Sequence, residues 1–264
     1  EMNESLEEAE KKAAQILLPQ LKDHVELIQG FMNLIGETGW SGMRPIDECT
    51  QSFKVTSQLL VRLVNDLRCI GLLTEYGYPL QAWTITSSVY EVGVTVAHIG
   101  RDDERAQKWI DYDKPDQPFL NMRAATKEVF REFGMPDAED QAESDYRVYQ
   151  WLCMGKHANP LLQKEFGLIQ QGQDVKLQNG PDTSEMAVSS LWYAMDHAAR
   201  YAYIALAKFA KSHLTIEQHN SIAKRANALS VKREQLRIVA RQRWFDQDPF
   251  HEKWRPKQKA HRSP

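Results

Sequence analysis

Between Pro79 and Gly100 the chain carries twenty residues with a single acidic side chain, Glu91, and no Lys or Arg. Few folds can absorb such a segment. Pro79 suits the first turn of a helix and Gly100 its end, and Ile85, Val89, Val92, Val96 and Ile99 then fall on one face. The opposite side holds Thr84, Ser87, Glu91 and His98. A surface helix would carry Lys and Arg there, so the spacing predicts a helix buried on most sides, with Glu91 and His98 facing an interior that must satisfy them. The natural partners by residue type are His157, His197, Arg200 and Tyr201.

Other helices follow from similar signals. Ser5 with Glu8 forms a capping box ahead of apolar positions that continue to about Ile35, with Pro19 expected to bend the helix. Three glycines and a proline between Gly36 and Pro45 predict a loop, and Pro45 then opens a helix through about Glu75. Tyr76-Gly77-Tyr78 is short enough to fold that helix back on the central one. Asp102 to Asp111, Phe119 to Phe133 and a helix from Asp137 to about His157 come next. Phe166 to Pro181, containing LIQQG and VKLQNG, allows one small β-hairpin. Asp182 and Glu185 open a helix to about Ser212, and Thr215 with Gln218 caps a last one to about Phe245. With no βαβ alternation and no glycine-rich phosphate loop, the class is all-α, a bundle of about seven helices.

Charge divides the chain. Residues 221–264 hold twelve Lys and Arg against four acids, a charge of +8, which leaves −11 for the remainder of a chain whose total is −3. We therefore read 1–220 as the bundle domain and 221–264 as a basic helix and tail, suited to RNA, to an acidic protein or to the acidic body of its own or a twin subunit. Ile222, Leu229 and Leu236 recur every seven residues, with Ala226 four residues after the first and Ala240 four after the last. Such a seam meets one other helix, in this chain or in a second copy of it. No run of eighteen apolar residues suggests a membrane span, the first residues are acidic where a signal peptide would be basic, and the three cysteines (Cys49, Cys69, Cys153) fit reduced thiols, so the expected setting is cytoplasmic.

Candidate chemistry is sparse. No HExxH or ExxH element pairs two ligands on one helix, so neither a metal nor a cofactor is expected. His157 lies at the end of the Asp137 helix beside Lys156 and Asn159, with Arg147 earlier on the same helix, where a phosphate or a general acid–base role is chemically reasonable and a helix cap equally so. His197 and Arg200, three apart on the long later helix, add a second polar set with Tyr201. We therefore take His157, Arg147, Glu91 and His98 as the catalytic candidates and Lys156, Asn159, His197, Arg200 and Tyr201 as the substrate-binding ones.

A helix running into Leu72-Leu73-Thr74-Glu75-Tyr76-Gly77, a central helix with small residues and Glu91, an acidic-aromatic segment, and His157-x-x-Pro160 at a helix end resemble a bacterial family of uncharacterised helical proteins. That family is similar to the HEPN superfamily, and the resemblance spans about residues 52–209. It implies a helical, dimeric ribonuclease of the toxin or antiphage-defence kind; the alternative is a non-catalytic interaction protein that uses its basic C-terminal helix. The family's Arg four residues before the central Glu is Ser87 here. The ribonuclease spacing, Arg followed by His after four to six residues, occurs only at Arg255 and His261, while Arg147 and His157 are ten apart, about 15 Å along a helix.

Overall fold

The computed structural model describes residues 5–114, 117–157, 168–171, 174–177 and 180–245. They form an all-α bundle of α1 (Leu6–Ser41), α2 (Gln51–Glu75), α3 (Pro79–Ile99), α4 (Asp103–Ile110), α5 (Met122–Glu132), α6 (Ala138–Lys156), α7 (Glu185–His213) and α8 (Ile216–Ala240). Strands β1 (Leu168–Gln171) and β2 (Asp174–Leu177) pair antiparallel between α6 and α7. Among the described residues no helix is long and apolar enough to cross a membrane.

Helix α3 is the centre, packing against α2, α4, α5, α6 and α7. Val89, Val92, Val96 and Ile99 are buried as expected and Ile85 is half-buried, but burial continues round the helix through Trp83, Ser87, Tyr90 and Val94. Small residues let the neighbours come close. A Cβ on Gly93 would lie 2.9 Å from the Tyr201 carbonyl oxygen of α7. Backbone cannot swing aside as a side chain can, so Gly93→Ala is expected to cost about 1–3 kcal/mol of stability, read from urea unfolding. An unchanged midpoint would mean that α3 and α7 separate more easily than their packing implies.

The link between α2 and α3 depends on Gly77. It has φ 76°, and a Cβ there would stand 2.8 Å from the Asp182 carbonyl oxygen. The same glycine's carbonyl accepts a hydrogen bond from the Asp182 amide at 2.9 Å, tying the hairpin turn to the entrance of α7.

Two boundaries differ from the sequence reading. Helix α1 does not stop near Ile35 but runs to Ser41, through Gly36 and Gly39, which lie on its exposed side. Burial of Leu34, Ile35 and Thr38 outweighs a glycine penalty of about 1 kcal/mol each. Thr38 Oγ1 also donates to the Leu34 carbonyl at 2.7 Å. Pro45 precedes only a single 3-10 turn, Ile46–Glu48, and α2 begins afresh at Gln51, where Thr50 Oγ1 accepts from the Phe53 amide. Pro19, in contrast, lies within an unbroken helix, and the Gln20 side chain donates to the Ile16 carbonyl at 3.1 Å in the turn that lacks the proline's N–H.

The α8 seam is taken up inside the chain. Ile222, Ala226 and Ala240 are buried, and the helix packs on α1 and α7. Arg225 and Lys232 pair with Glu37 and Glu26 of α1, so part of the basic segment docks on the chain's own acidic body. A π-helical turn, Arg241–Phe245, follows α8 and sets Trp244 against Trp192 with ring centroids 6.3 Å apart.

Candidate functional site

The expected single cluster around Glu91 and His98 resolves into separate sites. Glu91 Oε1 accepts from the Tyr149 hydroxyl at 2.8 Å and from Lys156 Nζ at 2.9 Å, both on α6. His98 Nδ1 lies 3.1 Å from Glu128 Oε2, and Arg105 donates both to the His98 carbonyl and to Glu128, each at 2.6 Å. Burial, then Arg105, pushes the His98 imidazole below its usual range against the pull of Glu128. The reason for the separation is geometric. Seven residues place the two side chains on one face but about 10 Å apart along the axis, where α6 covers the first and α4 with α5 the second.

A third polar group gathers where α6, α7 and α8 meet. Asp145, buried on α6, accepts at one oxygen from Arg200 Nε at 2.7 Å and from the Tyr201 hydroxyl at 2.6 Å. Tyr90 of α3 stands between this group and the Glu91 site, its ring 4.4 Å from that of Tyr201 and 4.5 Å from that of Tyr149. From α8, Arg233 Nε donates to the Asp196 carbonyl at 2.9 Å and its NH2 to Asp196 Oδ2 at 2.6 Å, with both side chains buried. Burial raises the Asp196 carboxyl and the guanidinium opposes that rise.

These residues border a cleft of about 260 Å³, whose walls include Asp145, Asp196, His197, Arg200, Arg233, Arg237 and Arg241. Arg237 is held by both carboxylate oxygens of Glu234 and Arg233 by Asp196, so four guanidinium groups meet three carboxylates and the remaining excess of positive charge favours an anion there. Asp145 engages only the Nε of Arg200; among the described residues its two terminal nitrogens make no hydrogen bond. His197 rests against the Tyr193 ring, centroids 4.4 Å apart. Its ring is half-buried, while its Nδ1 is shielded from solvent and has no hydrogen-bond partner among the described residues. Burial, followed by Arg233, Arg200, Arg237 and Arg241, holds this imidazole well below its usual range and therefore neutral. The guanidinium groups that keep the ring neutral also oppose its protonation, so it becomes an effective base only when an anion such as a phosphate offsets their charge, while the cations stabilise developing negative charge.

Of the sequence candidates, His197 and Arg200 thus share one cleft, and Tyr201 reaches it through Asp145. Lys156 meets Glu91 instead. His157 is exposed at the end of α6, twelve residues or about 18 Å along that helix from Asp145, and Arg147 is exposed as well. Asn159 lies outside the described residues, as do Arg255 and His261. Arg233, Asp145 and Asp196 were missed as site residues. A signal existed for the first, since Arg233 stands seven residues from both Ala226 and Ala240, on the seam itself, and an arginine at a core position requires a buried acceptor. No protein-family model, characterised protein or solved structure shows a significant match to this chain.

Proposed function

We propose that the protein recognises phosphate esters of RNA in the cleft between α6, α7 and α8, with His197 as general base, as an RNA-targeting ribonuclease of the kind that the HEPN-like resemblance implies. The observation that carries this reading is the half-buried ring of His197, its Nδ1 without a hydrogen-bond partner among the described residues, on a wall shared with four arginines. In such a reaction the imidazole takes the proton of a ribose 2′-hydroxyl, and the terminal nitrogens of Arg200 hold the phosphoryl oxygens as charge builds on them. The outer face of α8 contributes less than its composition suggests, because Arg225 and Lys232 are engaged by Glu37 and Glu26. Residues beyond 245 hold five further Lys and Arg for contact with a strand. A defence role, a cytoplasmic setting and a homo-oligomer are parts of the same proposal.

Incubation with total RNA tests it. His197→Ala is expected to lose about 100-fold or more in cleavage rate, and His157→Ala to retain wild-type cleavage. Equal cleavage by the His197 variant, or none by the wild type under any divalent-ion condition, would overturn the catalytic reading. The second reading is a non-catalytic module that binds RNA or an acidic protein partner. It is favoured by one specific observation, that Asp145 and Asp196 already brace Arg200 and Arg233 without a ligand. RNA retention without cleavage is its expected result.

A further inference from the structure

Gly36 and Gly39 have no evident task inside the chain. Neither has a positive φ, and a Cβ on either would meet nothing within 4 Å among the described residues. A glycine in such a place only weakens its helix. What the two leave is room, because both line an apolar trough of about 460 Å³ between α1 and α2. Its α2 wall runs from Phe53 to Asn65, twelve residues or about 18 Å along the axis, so the space is elongated. It shares no wall residue with the cleft between α6, α7 and α8. Trp40 and Val61 on its walls remain 75% and 64% exposed, and Arg44 is the one charged residue that lines it among those described.

Arg44 marks one end of the trough. Its guanidinium lies 4.3 Å over the ring of Phe53, the first residue of the α2 wall, and donates to the carbonyls of His213 at 2.7 Å and Gly42 at 3.3 Å. Those contacts hold the cation in place, yet among the described residues no carboxylate pairs with it. Its other terminal N–H groups are left for an anion. We propose that the trough binds a long-chain fatty carboxylate, the alkyl chain lying across Gly36 and Gly39 along α2 and the carboxylate held by Arg44. Volume and lining fit a small-molecule site, apolar with one placed polar group. A polyanion would meet only a single cation, and a compact ring would leave much of the length empty.

Calorimetric titration of the full chain with laurate and myristate, each below its micelle concentration, tests the inference against dodecyltrimethylammonium and 1-dodecanol. One carboxylate per chain is expected to bind, about tenfold or more tighter than either control. Gly39→Leu is expected to abolish that binding while raising the urea midpoint, since a side chain there enters the trough unobstructed at its Cβ and favours the helix. Gly36→Leu replaces it if the first variant loses its native circular dichroism. Arg44→Gln is expected to weaken the carboxylates about tenfold and leave dodecanol unchanged. Carboxylates that bind no better than the cationic analogue, or as well to the leucine variants as to the wild type, would overturn the inference. Failure of both carboxylates to bind would overturn it too, and a dimer in sedimentation that Gly39→Leu dissolves would then assign the trough to a second copy of the chain.

Discussion

Truncating Arg233 to alanine is expected to destabilise the bundle by about 3–5 kcal/mol, a large part of the stability of an ordinary domain. Both partners of the Arg233–Asp196 pair are buried, the guanidinium making two hydrogen bonds to the one residue. Removing the cation leaves the buried carboxylate without its hydrogen-bonding partner and with only the more distant Arg237 and Arg200 to offset its charge, so it is driven to protonate or to draw solvent into the junction of α7 and α8. The asymmetry of buried pairs supplies the control. Arg233→Met combined with Asp196→Leu removes both charges and is expected to recover most of the loss. Urea unfolding measures all three chains, and a single variant within about 1 kcal/mol of wild type would show that the pair contributes little to holding α8 in place.

Acid should weaken the fold before its carboxylates protonate. Burial pushes His24 down to about 4, Lys232 adding to the shift and Asp23 opposing it. His213, 3.1 Å from Thr56 Oγ1, is also pushed down to about 4, by burial first and then by Arg44 and Arg101, against the backbone of Gly100 and the charge of Asp103. Folded pKa values below the unfolded value near 6.5 mean that the unfolded chain binds more protons between those limits. Stability is therefore complete above about pH 6.5 and declines as pH falls toward 4. For His24 the loss is about 3 kcal/mol over that window, and for His213, whose ring borders solvent, it is less. Urea midpoints taken from pH 8 to 4.5 should be flat and then fall, with a shallower fall in His24→Met. A profile level down to pH 4.5 would show that these rings accept protons without strain.

The architecture was legible because it rests on local signals. Pro79 and Gly100 bound α3, Ser5 with Glu8 and Thr215 with Gln218 cap α1 and α8, and the charge-poor character of α3 correctly marks it as central. The end of α1 was misread because glycine propensity is a local term and the burial of Thr38 is not. The candidate site was legible only in part. His197 and Arg200 belong to one helix and are visible as a pair, but Asp145 and Arg233 join them from helices 52 residues before and 36 residues after His197, and no spacing rule spans such distances. Glu91 and His98 show the converse failure: a shared helical face does not provide a shared partner when different helices cover successive turns.

The first and last helices lie side by side in opposite directions: Gly30 receives Leu229, whose Cδ2 stands 2.9 Å from where a glycine Cβ would be, and Glu37 and Glu26 receive Arg225 and Lys232. On a ribosome these contacts cannot form in the order in which the chain is made. Helix α1 is complete when Ser41 has been added and α2 can cover part of it soon afterwards, yet the side that α8 covers waits for nearly 200 further residues. At about 5–20 residues per second the delay is on the order of 10–40 s. The final closure is entropically mild, because the cost of joining distant ends grows only with the logarithm of their separation. The α8-facing side of α1 is therefore bare in the nascent chain during an interval set by translation speed, and that is the stage at which a holdase chaperone would find it.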